Sequence, residues 1–243
     1  MEIFTYSTQK SFDFSYIRPT ETNLQLLLNI TNQLIELYED FFGMKMRPFH
    51  LINYYDNDDY PMTVREKNII FIDCPYFNKN QFTYQLSHEL CHWMIPVKIK
   101  HNLRWLDETI AVTASAFFPS KIKAIDTDLY NSYLTNTVRR LTPKCIRKVS
   151  APTPKQLSMM ETGKYSPDFT DYGSYWNISK YLFPVINSNP LFWKAVPLLC
   201  EVPEGLTLKA SLDNWIALCP SPVNDALTQV TTSLLPRRSF FYK

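Results

Sequence analysis

The chain contains one stretch that constrains it more than any other, Ser87-His88-Glu89-Leu90-Cys91-His92-Trp93. Residues four apart on an α-helix lie above one another on one face, so a helix here lets His88 and His92 hold a single metal ion. Glu89, one position on from His88, can reach a water on that ion and act as its general base. The chain has only 4 histidines, and two of them flank this glutamate inside an apolar segment. The competing explanation is a chance pentapeptide on an ordinary helix, since short motifs do recur by chance.

The surrounding pattern supports a helix at this place. Leu86, Leu90 and Trp93 supply a packing face for a helix over about 80–94, which Pro96 ends. A second helix is expected over 103–118, with Trp105, Glu108, Ala111, Val112 and Ser115 along one side and Pro119 as its stop. Before these, residues 2–17 alternate loosely enough for one or two strands. Thr20 or Thr22 then caps a helix marked by Leu24, Leu27, Leu28, Leu34, Ile35, Tyr38 and Phe42, with Gly43 as its stop. Strands follow over 49–55 and 64–73, the second with Asn68 to Asp73 as its apolar end, and 56–61 forms a polar turn between them. Cys74-Pro75 breaks the second strand.

Beyond Pro119 the pattern is helical. One helix is expected over 120–141, and four more pieces over 171–187, 190–200, 207–218 and 222–234. The polar, proline-bearing stretch 143–168 reads as a loop, with one short helix near 155–161. The organisation this implies is α+β: residues 1–96 as an N-terminal subdomain carrying the motif, and 97–243 as a helical subdomain, together one catalytic unit.

Composition narrows the chemistry. With 243 residues the chain can bury a substantial core. Only 4 glycines are present, and no GxGxxG or Walker-type loop, which argues against nucleotide chemistry. A net charge of +2 is too small to suggest nucleic acid as a partner. No run of about 18 apolar residues suggests a membrane span, and residues 1–14 lack the basic and apolar regions of a signal peptide. The 5 cysteines (Cys74, Cys91, Cys145, Cys200 and Cys219) are odd in number, widely spaced and without CxxC. Reduced thiols and a cytoplasmic location are therefore expected. Cys91 and His50 are expected to be structural.

Two histidines do not complete a catalytic zinc site, which takes three protein ligands and leaves the fourth position for water. The candidates downstream are His101, Asp107 and Glu108. His101, nine residues after His92, does not match the HExxHxxGxxH spacing, and no glycine occupies the turn position. Glu108 is better placed, because a second helix packed on the first would offer its carboxylate while Ala111, Val112 and Ser115 allow close approach.

His88-Glu89-x-x-His92 followed by Trp105-Leu-Asp-Glu108-Thr-Ile-Ala111 resembles the gluzincin zinc metallopeptidases, in which HExxH precedes a helix bearing Glu-x-x-Ala. The resemblance implies a zincin-like fold, a small mixed sheet with the HExxH helix and then a mainly helical lobe. It also implies Zn²⁺ as cofactor, Glu108 as the third ligand, and a peptide or protein as substrate. The strand before the HExxH helix is commonly the edge strand that pairs with substrate, which would be Asn68 to Asp73. The segment Asp171-Tyr172-Gly-Ser-Tyr175-Trp-Asn-Ile-Ser-Lys-Tyr181-Leu182 is similar to the helix whose tyrosine stabilises the oxyanion in peptidase-MA-type members. That role would fall to Tyr172, or to Tyr175 one turn on. No Gly-x-Met-Glu-Asn motif precedes the HExxH helix, so an aminopeptidase is not expected. Residues 80–120 also resemble the ImmA/IrrE-like regulatory proteases. The alternatives to a general peptidase are thus a regulatory protease with a single protein substrate and a non-catalytic zincin-fold binding module.

Overall fold

A computed structural model describes residues 4–7, 12–16, 21–53, 61–75, 78–99, 103–141 and 172–234. The expected turn at 56–60, the loop at 143–168 with its short helix, Thr20, His101 and Cys145 lie outside these residues. The chain divides into two compact units, residues 1–94 with 114–136 and residues 95–113 with 137–243.

The first unit contains a mixed sheet of five strands in the order β1-β2-β3-β5-β4: β1 (Phe4–Ser7), β2 (Phe12–Tyr16), β3 (Phe49–Asn53), β4 (Met62–Val64) and β5 (Ile69–Ile72). β2, β3 and β5 run parallel, while β1 and β4 lie antiparallel at the two ends. Alternation sets the buried face. Phe49 and Leu51 of β3 are buried, as are Ile70 and Ile72 of β5, and the register pairs Leu51 with Ile70. The connection from β2 to β3 is helix α1 (Glu21–Phe42), long enough to return a parallel strand. Its buried side chains Leu27, Leu34, Tyr38 and Phe42 recur at helical spacing. Gly43, at φ 69°, ends it by donating its N–H to the Glu39 carbonyl at 2.9 Å.

Two strand expectations need correction. The strand expected over 64–73 is only Ile69–Ile72, and Val64 instead ends a separate antiparallel strand, because Arg65–Lys67 form a 3-10 turn and Asn68 takes the left-handed conformation at φ 54°. Asparagine tolerates that region better than most side chains, so it turns the chain back on itself. As a result Asn68 to Asp73 does not form the sheet edge. β5 lies inside the sheet, and β4 is the edge strand beside it, with β1 at the opposite edge.

The metal-motif helix α2 (Lys79–Met94) packs on α1 and on β4 and β5. Tyr38 of α1 donates its hydroxyl hydrogen to the Ser87 carbonyl of α2. At the far end of α2, Arg47 donates to the Trp93 carbonyl at 2.8 Å and lies over the Trp93 ring at 4.5 Å. Arg65 donates to the His92 carbonyl. Two guanidinium groups thus meet carbonyls that a helix C-terminus leaves without helical partners, where the dipole also favours positive charge.

Helix α3 (Arg104–Phe117) stops before Pro119, as expected. The helix expected over 120–141 begins later: Pro119–Lys121 is a 3-10 turn, Ile122 is extended, and α4 is Thr127–Leu141. Asp126 decides the start, because its Oδ1 accepts from the N–H groups of Asp128 and Leu129, both at 3.0 Å. In the same unit Phe118 stacks on Tyr38 with ring centroids 3.9 Å apart, and the Tyr130 hydroxyl donates to the Ser115 carbonyl.

The second unit is helical, with α5 (Tyr172–Ser188), α6 (Phe192–Ala195), α7 (Leu208–Leu218) and α8 (Val223–Leu234). The expected helix over 190–200 is the short α6 followed by a 3-10 turn, Val196–Glu201, at whose start Pro197 lacks the N–H a longer α-helix would use. Phe192 and Trp215 meet edge to face, and the Trp215 indole donates to the Ala195 carbonyl at 2.8 Å. Thr113 of α3 donates to the Ser179 hydroxyl of α5 at 3.0 Å. The whole is a mixed α/β protein with a small mixed sheet and predominantly helical remainder. Among the described residues, no helix is long and apolar enough to cross a membrane.

Candidate metal centre

Helix α2 is buried along nearly its whole length, and the motif side chains are buried with it: His88 at 7%, Glu89 at 4% and His92 at 8% exposure. The four-residue spacing puts the two imidazoles on one face, with ring centroids 4.8 Å apart and planes at 71°. Their Nε2 atoms face each other at 3.1 Å. Two ring nitrogens this close share either one proton or one cation. Bonds of about 2.0–2.1 Å from nitrogen to zinc at the tetrahedral angle separate two ligand nitrogens by roughly 3.3–3.4 Å. The observed pair, at 3.1 Å, is closer than that by a few tenths of an ångström.

Among the described residues, one group of His, Cys, Asp or Glu side chains is close enough to hold an ion: His88, His92 and Glu108, whose ligand atoms all lie within 4.8 Å of one another. Two imidazole nitrogens and a carboxylate oxygen suit zinc and other divalent transition metals. Glu108 is half-buried on α3, and Ala111, Val112 and Ser115, on its side of the helix, are fully buried. Asp107 is buried but does not join the group, since one residue on a helix is a rotation of about 100°.

Glu89 is engaged from the sheet. Thr63 of β4 has its Oγ1 2.8 Å from Oε2 of Glu89 and 3.0 Å from the Glu89 main-chain oxygen. Nothing in the sequence singles out Thr63, because the contact exists only once β4 has folded against α2. Tyr172 begins α5, and Tyr175, one turn on, is buried. Cys91, within the motif, is completely buried, and Cys74, Cys200 and Cys219 are likewise buried free thiols. Burial, with the charge of Asp73 adding to it, pushes the Cys74 thiol far above its ordinary range. His50 sits in β3 with its Nε2 2.7 Å from the Ser15 hydroxyl, a structural contact inside the sheet.

Compared with known proteins, the chain matches no family model and no curated protein.

Proposed function

We propose that the protein is a zinc-dependent metallopeptidase of gluzincin type, with a zincin-like fold. The observation that carries this reading is the grouping of His88, His92 and Glu108, with Glu89 buried beside it on the same helix. Two histidines and a carboxylate are a donor set of catalytic rather than closed structural zinc sites. A zinc ion held by His88, His92 and Glu108 would supply Lewis acidity and would lower the pKa of a coordinated water to about 7.

The remaining chemistry belongs to the chain. Glu89 takes the proton of the attacking water and passes it to the leaving amine, so one carboxylate serves first as base and then as acid. Tyr172 or Tyr175 donates a hydrogen bond to the oxyanion formed from the scissile carbonyl. An extended peptide would add to the sheet at β4, the edge strand that packs against α2, since a strand edge offers unpaired N–H and C=O groups. This moves the substrate-pairing role from 68–73 to 62–64.

The experiment is a Glu89→Gln variant, assayed for metal content and for hydrolysis of a mixed peptide library. Retained metal with hydrolysis reduced by about 100-fold or more is the expected result. Full activity in the variant would refute the mechanism. A wild-type protein that binds metal yet cleaves neither library peptides nor unfolded proteins would favour the non-catalytic or single-substrate alternatives.

A further inference from the structure

We propose that Thr63 is a positioning residue, which fixes the Glu89 carboxylate in its working orientation from the edge strand of the sheet. The inference rests on the peptidase reading above, because positioning has meaning only if Glu89 moves a proton.

The geometry is local to β4 and α2. Thr63 Oγ1 lies 2.8 Å from Glu89 Oε2 and 3.0 Å from the carbonyl oxygen of the same residue. An ionised carboxylate only accepts hydrogen bonds, so between these groups the threonine hydroxyl is the donor. It has one hydrogen to share between the two oxygens, and both belong to Glu89. A hydrogen bond to a charged acceptor is shorter and stronger than one between neutral groups. With Oε2 engaged, rotation of the carboxylate about its last bond is stopped, and the side chain is pinned to its own backbone.

A second contact ties the turn that ends this strand to the same helix. Arg65, the first residue of the 3-10 turn that directly follows β4, donates to the His92 carbonyl. Strand β4 and the turn after it are therefore tied to α2 at the Glu89 carboxylate and at the main-chain carbonyl of His92. A base must be placed to within about 0.5 Å for efficient proton transfer, and a fixed neighbour is how proteins achieve it. A freely rotating glutamate on an exposed helix would lack that constraint.

The test compares Thr63→Val, which keeps the shape and removes the hydroxyl, with Thr63→Ser, which keeps the hydroxyl. Both are assayed on a peptide the wild-type protein cleaves, and zinc content is measured alongside. Thr63→Val is expected to retain zinc and a KM within about twofold, while kcat falls about tenfold or more, the lower end of what a hydrogen bond to a charged group is worth. Thr63→Ser is expected to recover most of kcat.

A second readout uses the metal-free protein. Thr63→Val should lower Tm by about 2–4 °C where Glu89 is present, and by less than half as much in a Glu89→Ala background. Wild-type kcat in Thr63→Val, equal losses in the valine and serine variants, or additive Tm shifts would each overturn the inference while leaving the peptidase reading intact. A wild-type protein without zinc or hydrolysis would overturn that reading, and the role of Thr63 with it.

Discussion

His88 and His92 turn their Nε2 atoms toward each other at 3.1 Å on the buried helix α2. Two imidazoles can adopt that arrangement without metal only by sharing a proton, and the Glu108 carboxylate completes a group that suits a divalent cation better.

Zinc should therefore stabilise the folded protein. A ligand that binds only the native state, at about 1,000 times its Kd, contributes about 4 kcal/mol. For a chain of this size the rise in Tm is on the order of 10 °C. Thermal melts with and without zinc should show it in the wild type, and EDTA should reverse it. His92→Ala and Glu108→Ala are each expected to abolish the shift at the same zinc concentration. An undiminished shift in Glu108→Ala would move the third ligand elsewhere, with Asp107 and His101 next in line.

The helix that carries the motif is held in place by Tyr38, whose buried hydroxyl donates to the Ser87 carbonyl. Tyr38→Phe removes that donor and should cost about 1–2 kcal/mol. In a melt this is a fall of a few degrees, with zinc stoichiometry unchanged at saturation. A variant as stable as the wild type would show that the contact carries no net stability.

Alkaline pH should weaken the fold. Burial pushes the Cys219 thiol up to about 11. Burial raises Cys74 as well, with Asp73 adding to it. Tyr38 and Tyr130 are raised well above their ordinary value, chiefly by burial and further by neighbouring acidic groups. Each is an acid held neutral by the fold. In the unfolded chain the thiols lose their protons from about pH 8.5 and the phenols from about pH 10. Above those values the unfolded state binds fewer protons than the native state, so stability falls as pH rises and is fully present below about pH 8. Tm should be level from pH 7 to 8 and decline from about pH 8.5, less steeply in Cys219→Ser. A level Tm up to pH 10.5 would contradict the buried, neutral state of these groups.

Some of this was legible in the residues. The helices α1, α2 and α3 follow from apolar spacing with Gly43, Pro96 and Pro119 as stops, all of which act within a few residues. The pairing of His88 with His92 follows from helix geometry alone, since residues four apart share a face whatever surrounds them. Where the pattern misled, a single residue overrode it. Asn68 shortened one expected strand, and Asp126 delayed a helix that apolar spacing had begun at Ser120.

By itself the sequence determined the local chemistry: a helix with two histidines and a glutamate at working spacing, and a second helix bearing a carboxylate among small residues. Only the tertiary structure decided which strands form the edges of the sheet and that Thr63 reaches Glu89. The reason is one of distance along the chain. Helix periodicity and stop residues act over a few positions, whereas Thr63 and Glu89 are 26 residues apart and meet only because β4 packs against α2. No spacing rule reaches that far.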